Sequence, residues 1–283
     1  VSTRRTGITI VEVLVLVVIV LVLLGLLLSY LLRMREGAGR VGCAENLRLL
    51  GAGLYHTREK LADVPLPASR VALGYGTWAA QRVAHWDLRA PYADQQPAAR
   101  EAVLAAFLCP ARVRAEFLSN AGDFALDGND HLPGAVGDYG CASGDGDPRF
   151  PWDSEKANGA IVPAEVLQRN GSLILRWRSR TNLTSLARGA SNTILFGEKH
   201  VPSGKFGQAA FGDGSLYNGA NTASFARAGG PGFGLAQSPS DPFNSNFGSY
   251  HPGLCQFLMA DDSVRALANE VNEDVLGQLI RRD

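Results

Sequence analysis

The chain of 283 residues carries 27 basic and 27 acidic side chains, so its formal net charge is zero. That balance excludes the broad electrostatic footprint of a nucleic-acid-binding protein. Hydrophobic residues make up 46% of the chain and crowd toward its start. An ordinary soluble domain therefore does not account for the whole sequence.

Behind Arg4, Arg5, Thr6 and Gly7 an apolar run extends from Ile8 to Leu32 with one carboxylate in it, Glu12. As a helix, about 25 residues reach roughly 37 Å, enough to cross a hydrocarbon core of about 30 Å with some tilt. A secretory signal would have a shorter apolar core, about 7 to 15 residues, and a small-residue cleavage site behind it. A carboxylate near the mouth of a spanning helix is poorly solvated and calls for a counter-ion. The segment from Gly7 through Ile8 to Glu12, followed by the apolar run, resembles the prepilin signature of type IV pilins and type II secretion pseudopilins. The resemblance implies cutting after Gly7 by a prepilin peptidase and N-methylation of the new amine on Ile8. It also implies pairing of Glu12 with the terminal ammonium of a neighbouring subunit in a filament. The rival reading is an uncleaved anchor in which Glu12 snorkels to the headgroups.

Arg33, Arg35 and Arg40 mark the exit from the membrane. Cys43, Leu47, Leu50, Leu54 and Leu61 then recur at helical spacing and predict one helix from about residue 8 to 60, ended by Pro65 and Pro67. Gly51 and Gly53 each weaken it by about 1 kcal/mol relative to alanine. Beyond it, short apolar segments at Ser172 to Trp177, Thr193 to Phe196 and Leu254 to Ala260 predict strands separated by turn-rich loops. A helix is expected over Ala98 to Phe107. Asp261-Asp262 reads as a tight two-residue hairpin turn in which Asp262 takes positive φ. Asn272 is expected to cap a last helix, with Val271 and Leu276 as its hydrophobic staple and Arg281 and Arg282 in its final turn.

A second resemblance covers nearly the whole chain. Its carriers are Cys43 with Asn46 and Leu47, Leu108-Cys109-Pro110, and the run from Ser191-Asn192-Thr193 to Glu198-Lys199. The last is His251-Pro252-Gly253, which reaches Asp261 after nine intervening residues. These resemble the bacterial family known as domain of unknown function 1559, which has a prepilin-type leader and a C-terminal His-x9-Asp-Gly motif. Asp262 stands where that family has glycine. The resemblance implies a pseudopilin-like envelope protein and no defined activity.

Four cysteines outside the cytoplasm permit two disulfides. A bridge between Cys43 and Cys109 would tie the domain to its helical stalk, leaving Cys141 and Cys255 as the second pair. The alternative leaves some of these residues as reduced, small hydrophobes. His251 with Asp261, and Glu198 with His200, can be imagined as acid-base or metal groups, but no hydrolase or phosphate-loop motif accompanies them. A turn at His251-Pro252, a hairpin shaped by Asp261 and a buried ion pair at Glu198 are the simpler readings. Asp123, Asp127, Asn129 and Asp130, with Asp145 and Asp147, offer loop oxygens for Ca2+, at spacings that fit no EF-hand. Trp78, Trp86, Trp152 and Trp177 could form a sugar-binding or protein-binding platform, but they are scattered as core or interface residues are.

The expectation is an α+β chain: a leader at 1–7, a transmembrane segment at 8–32, an extramembrane helix at 33–63 and one β-rich globular domain with long loops at 64–283. It would be a non-enzymatic pilin or pseudopilin-like subunit in the cytoplasmic membrane, with its domain on the extracytoplasmic side and no required cofactor. Its partners would be the prepilin peptidase, membrane lipid and other subunits through their N-terminal helices. The competing readings are an anchored adhesion protein that does not polymerise and an envelope hydrolase.

Overall fold

A computed structural model describes residues 9–55, 65–126, 128 and 130–283. The first helix, α1 (Ile10–Tyr55), runs for 46 residues, about 69 Å at the usual rise. From Ile10 to Arg35 every residue is exposed. Burial begins with Glu36 and deepens at Cys43, Leu47 and Leu50, the first three positions of the expected apolar stripe. The side chains of Leu54 and Leu61 lie outside the described residues.

The helix rests on a mixed five-stranded sheet of order β5-β1-β4-β6-β7, made of β1 (Tyr139–Gly144), β4 (Ile194–Glu198), β5 (Ala226–Ala228), β6 (Leu254–Met259) and β7 (Val264–Ala268). The β1–β5 pair is parallel and the other pairs are antiparallel. A separate hairpin joins β2 (Glu165–Asn170) to β3 (Leu173–Arg178). Three short helices complete the fold: α2 (Pro97–Arg100), α3 (Thr222–Phe225) and α4 (Glu273–Ile280). The three expected strand segments are β3, β4 and β6.

Alternation along the strands divides the core into two layers. Leu258 of β6 packs with Cys43, Leu47, Leu50, Tyr139 and Cys141 on the α1 side. Cys255, Phe257 and Met259 pack with Leu276 and Ile280 of α4 on the other. Gly51 has a reason to be glycine despite its helix cost, because a Cβ there would fall 2.1 Å from Asp262 Oδ1 and 3.2 Å from Leu258. The hairpin end thus seats directly on the helix backbone.

Four sequence expectations need correction. The helix expected over Ala98 to Phe107 is only the single turn α2 and a 3-10 turn at Ala105–Phe107. Competing donors take its carbonyls: Ala135 N–H donates to Arg100 O, and Tyr217 OH donates to Ala102 O at 2.6 Å. The Asp261-Asp262 turn is not a two-residue connection. Asp262 N–H closes a turn onto Met259 O and Met259 N–H reaches Ser263 O, so the hairpin has a longer loop ending in the left-handed Asp262 (φ 70°). α4 is capped by Asn272 Oδ1, which accepts from Asp274 N–H and Val275 N–H, and Val271 and Leu276 share a cluster as a staple should. It ends before the arginines. Arg281 turns extended toward Asp145 (3.3 Å), and Arg282 donates to the carbonyls of Ala157 and Gly159. Finally, Cys141 and Cys255 are free and buried. They lie in opposite core layers, with β4 between their strands, so no bond can join them.

Candidate functional site

Glu12 sits in the first turn of α1, and its surroundings show a feature missed in the sequence. Thr9 N–H and Thr9 Oγ1 both donate to Glu12 Oε2, at 2.8 and 2.9 Å, while Glu12 N–H donates to Thr9 Oγ1 at 3.3 Å. This is a capping box, legible as Thr-x-x-Glu ahead of an apolar run. One Glu12 oxygen is thus occupied within its own helix. Gly7 and Ile8, where the sequence resemblance implies processing, lie outside the described residues.

Where α1 meets the domain, a clamp holds it. Cys43 is disulfide-bonded to Cys109, with Cα atoms 5.3 Å apart, as expected from the sequence. One turn on, Asn46 Nδ2 donates to Leu108 O at 2.7 Å and approaches Tyr139 OH at 3.3 Å. One turn earlier, Arg40 pairs with Glu36 and donates to Pro252 O. Asn46 and the Cys-Pro and His-Pro-Gly segments thus act together to fasten the stalk.

Against the disulfide lie Glu198, at the end of β4, and His251, just before β6; both are fully buried. Glu198 Oε1 is 3.5 Å from Cys109 Sγ and 3.4 Å from His251 Nε2, which is itself 3.9 Å from Cys109 Sγ. Glu198 Oε2 accepts from Gln256 N–H at 2.8 Å, and Ser249 Oγ accepts from His251 N–H at 2.9 Å. The sequence pairings Glu198 with His200 and His251 with Asp261 are therefore replaced by Glu198 with His251. His200 points to Asp241 O, and Asp261 stands at the hairpin end, accepting from Ser263 N–H and Oγ. The simpler readings of a structuring Asp261 and a buried Glu198 agree with this geometry.

A second buried group adjoins the clamp. Asp138 Oδ1 accepts from Arg112 (2.8 Å) and Arg114, its Oδ2 accepts from Cys109 N–H (2.7 Å), and Arg114 continues to Asp213 at 3.0 Å. Lys199 Nζ donates to Gly212 O and Ser224 O and lies 3.6 Å from Asp213. Sequence reading missed this network, although Arg112 and Arg114 at alternate positions and Lys199 directly after the apolar strand β4 are its traces. Burial pushes the Lys199 ammonium down to about 7, against the pull of Asp213. A lysine depressed below its unfolded value leaves the unfolded chain with more bound protons between those values, so stability rises with pH across that interval. Between pH 7 and 8, below the ionisation of unfolded thiols at about 8.5, the gain is about 1 kcal/mol. Urea midpoints of the detergent-solubilised chain should rise over that unit, and Lys199→Met should flatten the rise.

The remaining candidates are scattered. Asp123 is buried, accepts from Ser215 N–H and Asn218 Nδ2, and is raised by burial above the usual carboxylate range. Asp130 is exposed, Asp145 bonds Asn158, and Asp147 pairs with Arg149. Asp127 and Asn129 lie outside the described residues. Among the described residues, His, Cys and carboxylate donors converge at Cys43, Cys109, Glu198 and His251, with no loop acid in the group. Ser191 and Asn192 are exposed in a 3-10 turn, while Thr193 is buried with its hydroxyl on Gly189 O. Trp78 is stacked edge-on with Phe107 and Phe196 in the core, partly buried Trp86 joins the same aromatic run through Tyr217, Trp152 packs against that cluster as well, and Trp177 sits apart beside Ile174.

These features define a membrane-anchored, pilin-like architecture: among the described residues one helix is long and apolar enough to cross a membrane, and a mixed α/β domain follows it. The chain belongs to the family described as Protein of unknown function (DUF1559), which it matches over residues 33–274. Among curated proteins and solved structures no match is found.

Proposed function

We propose that the protein is a non-enzymatic pilin or pseudopilin-like subunit that enters a filament of the type II secretion or type IV pilus kind through α1. One observation carries the reading. From Ile10 to Arg35 the helix is apolar, exposed along its whole circumference and interrupted only by Glu12, Gly25, Ser29, Tyr30, Arg33 and Arg35. Such a surface needs lipid around it, and on leaving lipid it needs other helices of the same kind. A prepilin peptidase would cut after Gly7 in the cytoplasmic membrane, and the domain would stand on the extracytoplasmic side. Glu12 would then meet the ammonium of Ile8 from a neighbouring subunit in a low-dielectric bundle, where each charge relieves the other.

The capping box sharpens the test, because glutamine retains the capping oxygen and removes only the charge. Membrane insertion of Glu12→Gln should match wild type, while its incorporation into cross-linkable filaments should fall as far as that of Glu12→Val. Normal incorporation of the glutamine variant would reduce Glu12 to a helix cap. The mass of the native N-terminus supplies the second measurement: a chain starting at Ile8 supports processing, and a retained leader removes the pilin reading.

A further inference from the structure

We propose that Cys43, Cys109, Glu198 and His251 form a closed, zinc-class metal site that fills when the Cys43–Cys109 bond is reduced. Two thiolates, an imidazole and a carboxylate are a tetrahedral donor set for Zn2+ rather than for Ca2+ or Mg2+. The four ligand atoms lie within 4.8 Å of one another and all four residues are buried. Three edges of the required tetrahedron are already in place. With metal–ligand bonds of about 2.0 to 2.3 Å its edges are roughly 3.3 to 3.8 Å. The separations found are 3.4 Å for Glu198 to His251, 3.5 Å for Cys109 to Glu198 and 3.9 Å for Cys109 to His251. The edge between the two sulfurs is closed by a covalent bond, and breaking it lets that edge open; the two remaining edges run from Cys43 Sγ to Glu198 and to His251 and are no longer than 4.8 Å.

The surroundings favour a cation at this point. Glu198 and His251 approach at 3.4 Å, longer than the 2.7 to 2.9 Å or so of a charge-assisted hydrogen bond, so they converge on one place without fully satisfying each other. The Gln256 N–H on Glu198 Oε2 orients the carboxylate, and Ser249 Oγ, accepting from the backbone N–H of His251, fixes the segment that carries the imidazole. The four donors come from α1, the Cys-Pro turn, β4 and the His-Pro-Gly segment. A metal would therefore fasten the same elements as the disulfide and preserve the clamp under reducing conditions.

The exchange balances. A dithiol reductant delivers two electrons and two protons to the sulfurs and is itself oxidised to a disulfide. The divalent cation then displaces both thiol protons to solvent as two metal–sulfur bonds form. Four protein ligands leave no open position, so the site is structural rather than catalytic.

The test uses the full chain in detergent. After reduction with a phosphine, titration with Co2+ and with Zn2+ should give one equivalent bound per chain, with thiolate-to-cobalt charge-transfer absorption, and Zn2+ should raise the melting temperature. The oxidised chain should show neither response. Glu198→Gln and His251→Ala should lower affinity at least about tenfold, and Cys43→Ala should abolish the charge-transfer band typical of two thiolates although Cys141 and Cys255 remain. Circular dichroism of each variant separates lost binding from lost fold. Should the reduced, folded wild type take up no stoichiometric metal, or should Cys43→Ala bind it as wild type does, the site does not exist.

Discussion

Asp138→Ala is expected to lower the stability of the full chain by about 3 to 5 kcal/mol, because it leaves buried cations without their carboxylate. The side chains of Asp138, Arg112 and Arg114 are all 2% exposed or less, so water cannot replace the lost partner. Asp138 Oδ2 also holds Cys109 N–H, and that donor would be orphaned as well. The damage should spread to the stalk clamp, seen as a lower denaturation midpoint and as faster reduction of the Cys43–Cys109 bond. Asp147→Ala, which breaks the exposed pair with Arg149, should leave both readouts unchanged. Equal effects of the two substitutions would overturn the assignment of Asp138 as the organiser of the buried charges.

Loss of the disulfide should be comparable. Cys43 and Cys109 are 66 residues apart, and closing a loop of that length lowers the entropy of the unfolded chain by an amount worth about 4 kcal/mol. The double variant Cys43→Ala with Cys109→Ala should shift the urea midpoint accordingly, under oxidising conditions and in the presence of a chelator. Asn46 should then carry more of the attachment, so adding Asn46→Ala to the double variant should cost more than Asn46→Ala does in wild type. An additive result would mean that the two contacts hold independent pieces of the structure.

Such coupling explains why the clamp was only half legible in the sequence. Helical spacing identified Cys43, Leu47 and Leu50 as one face, and the Cys-Pro turn suggested where that face attaches. Nothing in the spacing of Glu198 and His251 showed that they would meet at the disulfide. They are 53 positions apart in number, and their encounter depends on β4 pairing with β6, with His251 leading into β6. The only groupings the sequence offered were near neighbours, Glu198 with His200 and His251 with Asp261, behind the simpler structural readings, and strand geometry sends those neighbours to different places. The Cys141–Cys255 pairing failed for the same reason: counting cysteines carries no information about which face of a sheet each one occupies.

The parts that could be read from the chain were local and periodic: the membrane-length helix with its lone acid, the three strands, the Asn272 cap and the left-handed Asp262. In each, a few adjacent residues set the outcome through propensity, capping or solvent preference, whatever the rest of the molecule does. Folding in three dimensions alone settled the two-layered core, the four-residue convergence at Cys43 and the burial of Lys199 with Arg112, Arg114, Asp138 and Asp213. Those depend on which distant segments exclude water together, a property of packed surfaces that no stretch of sequence holds alone.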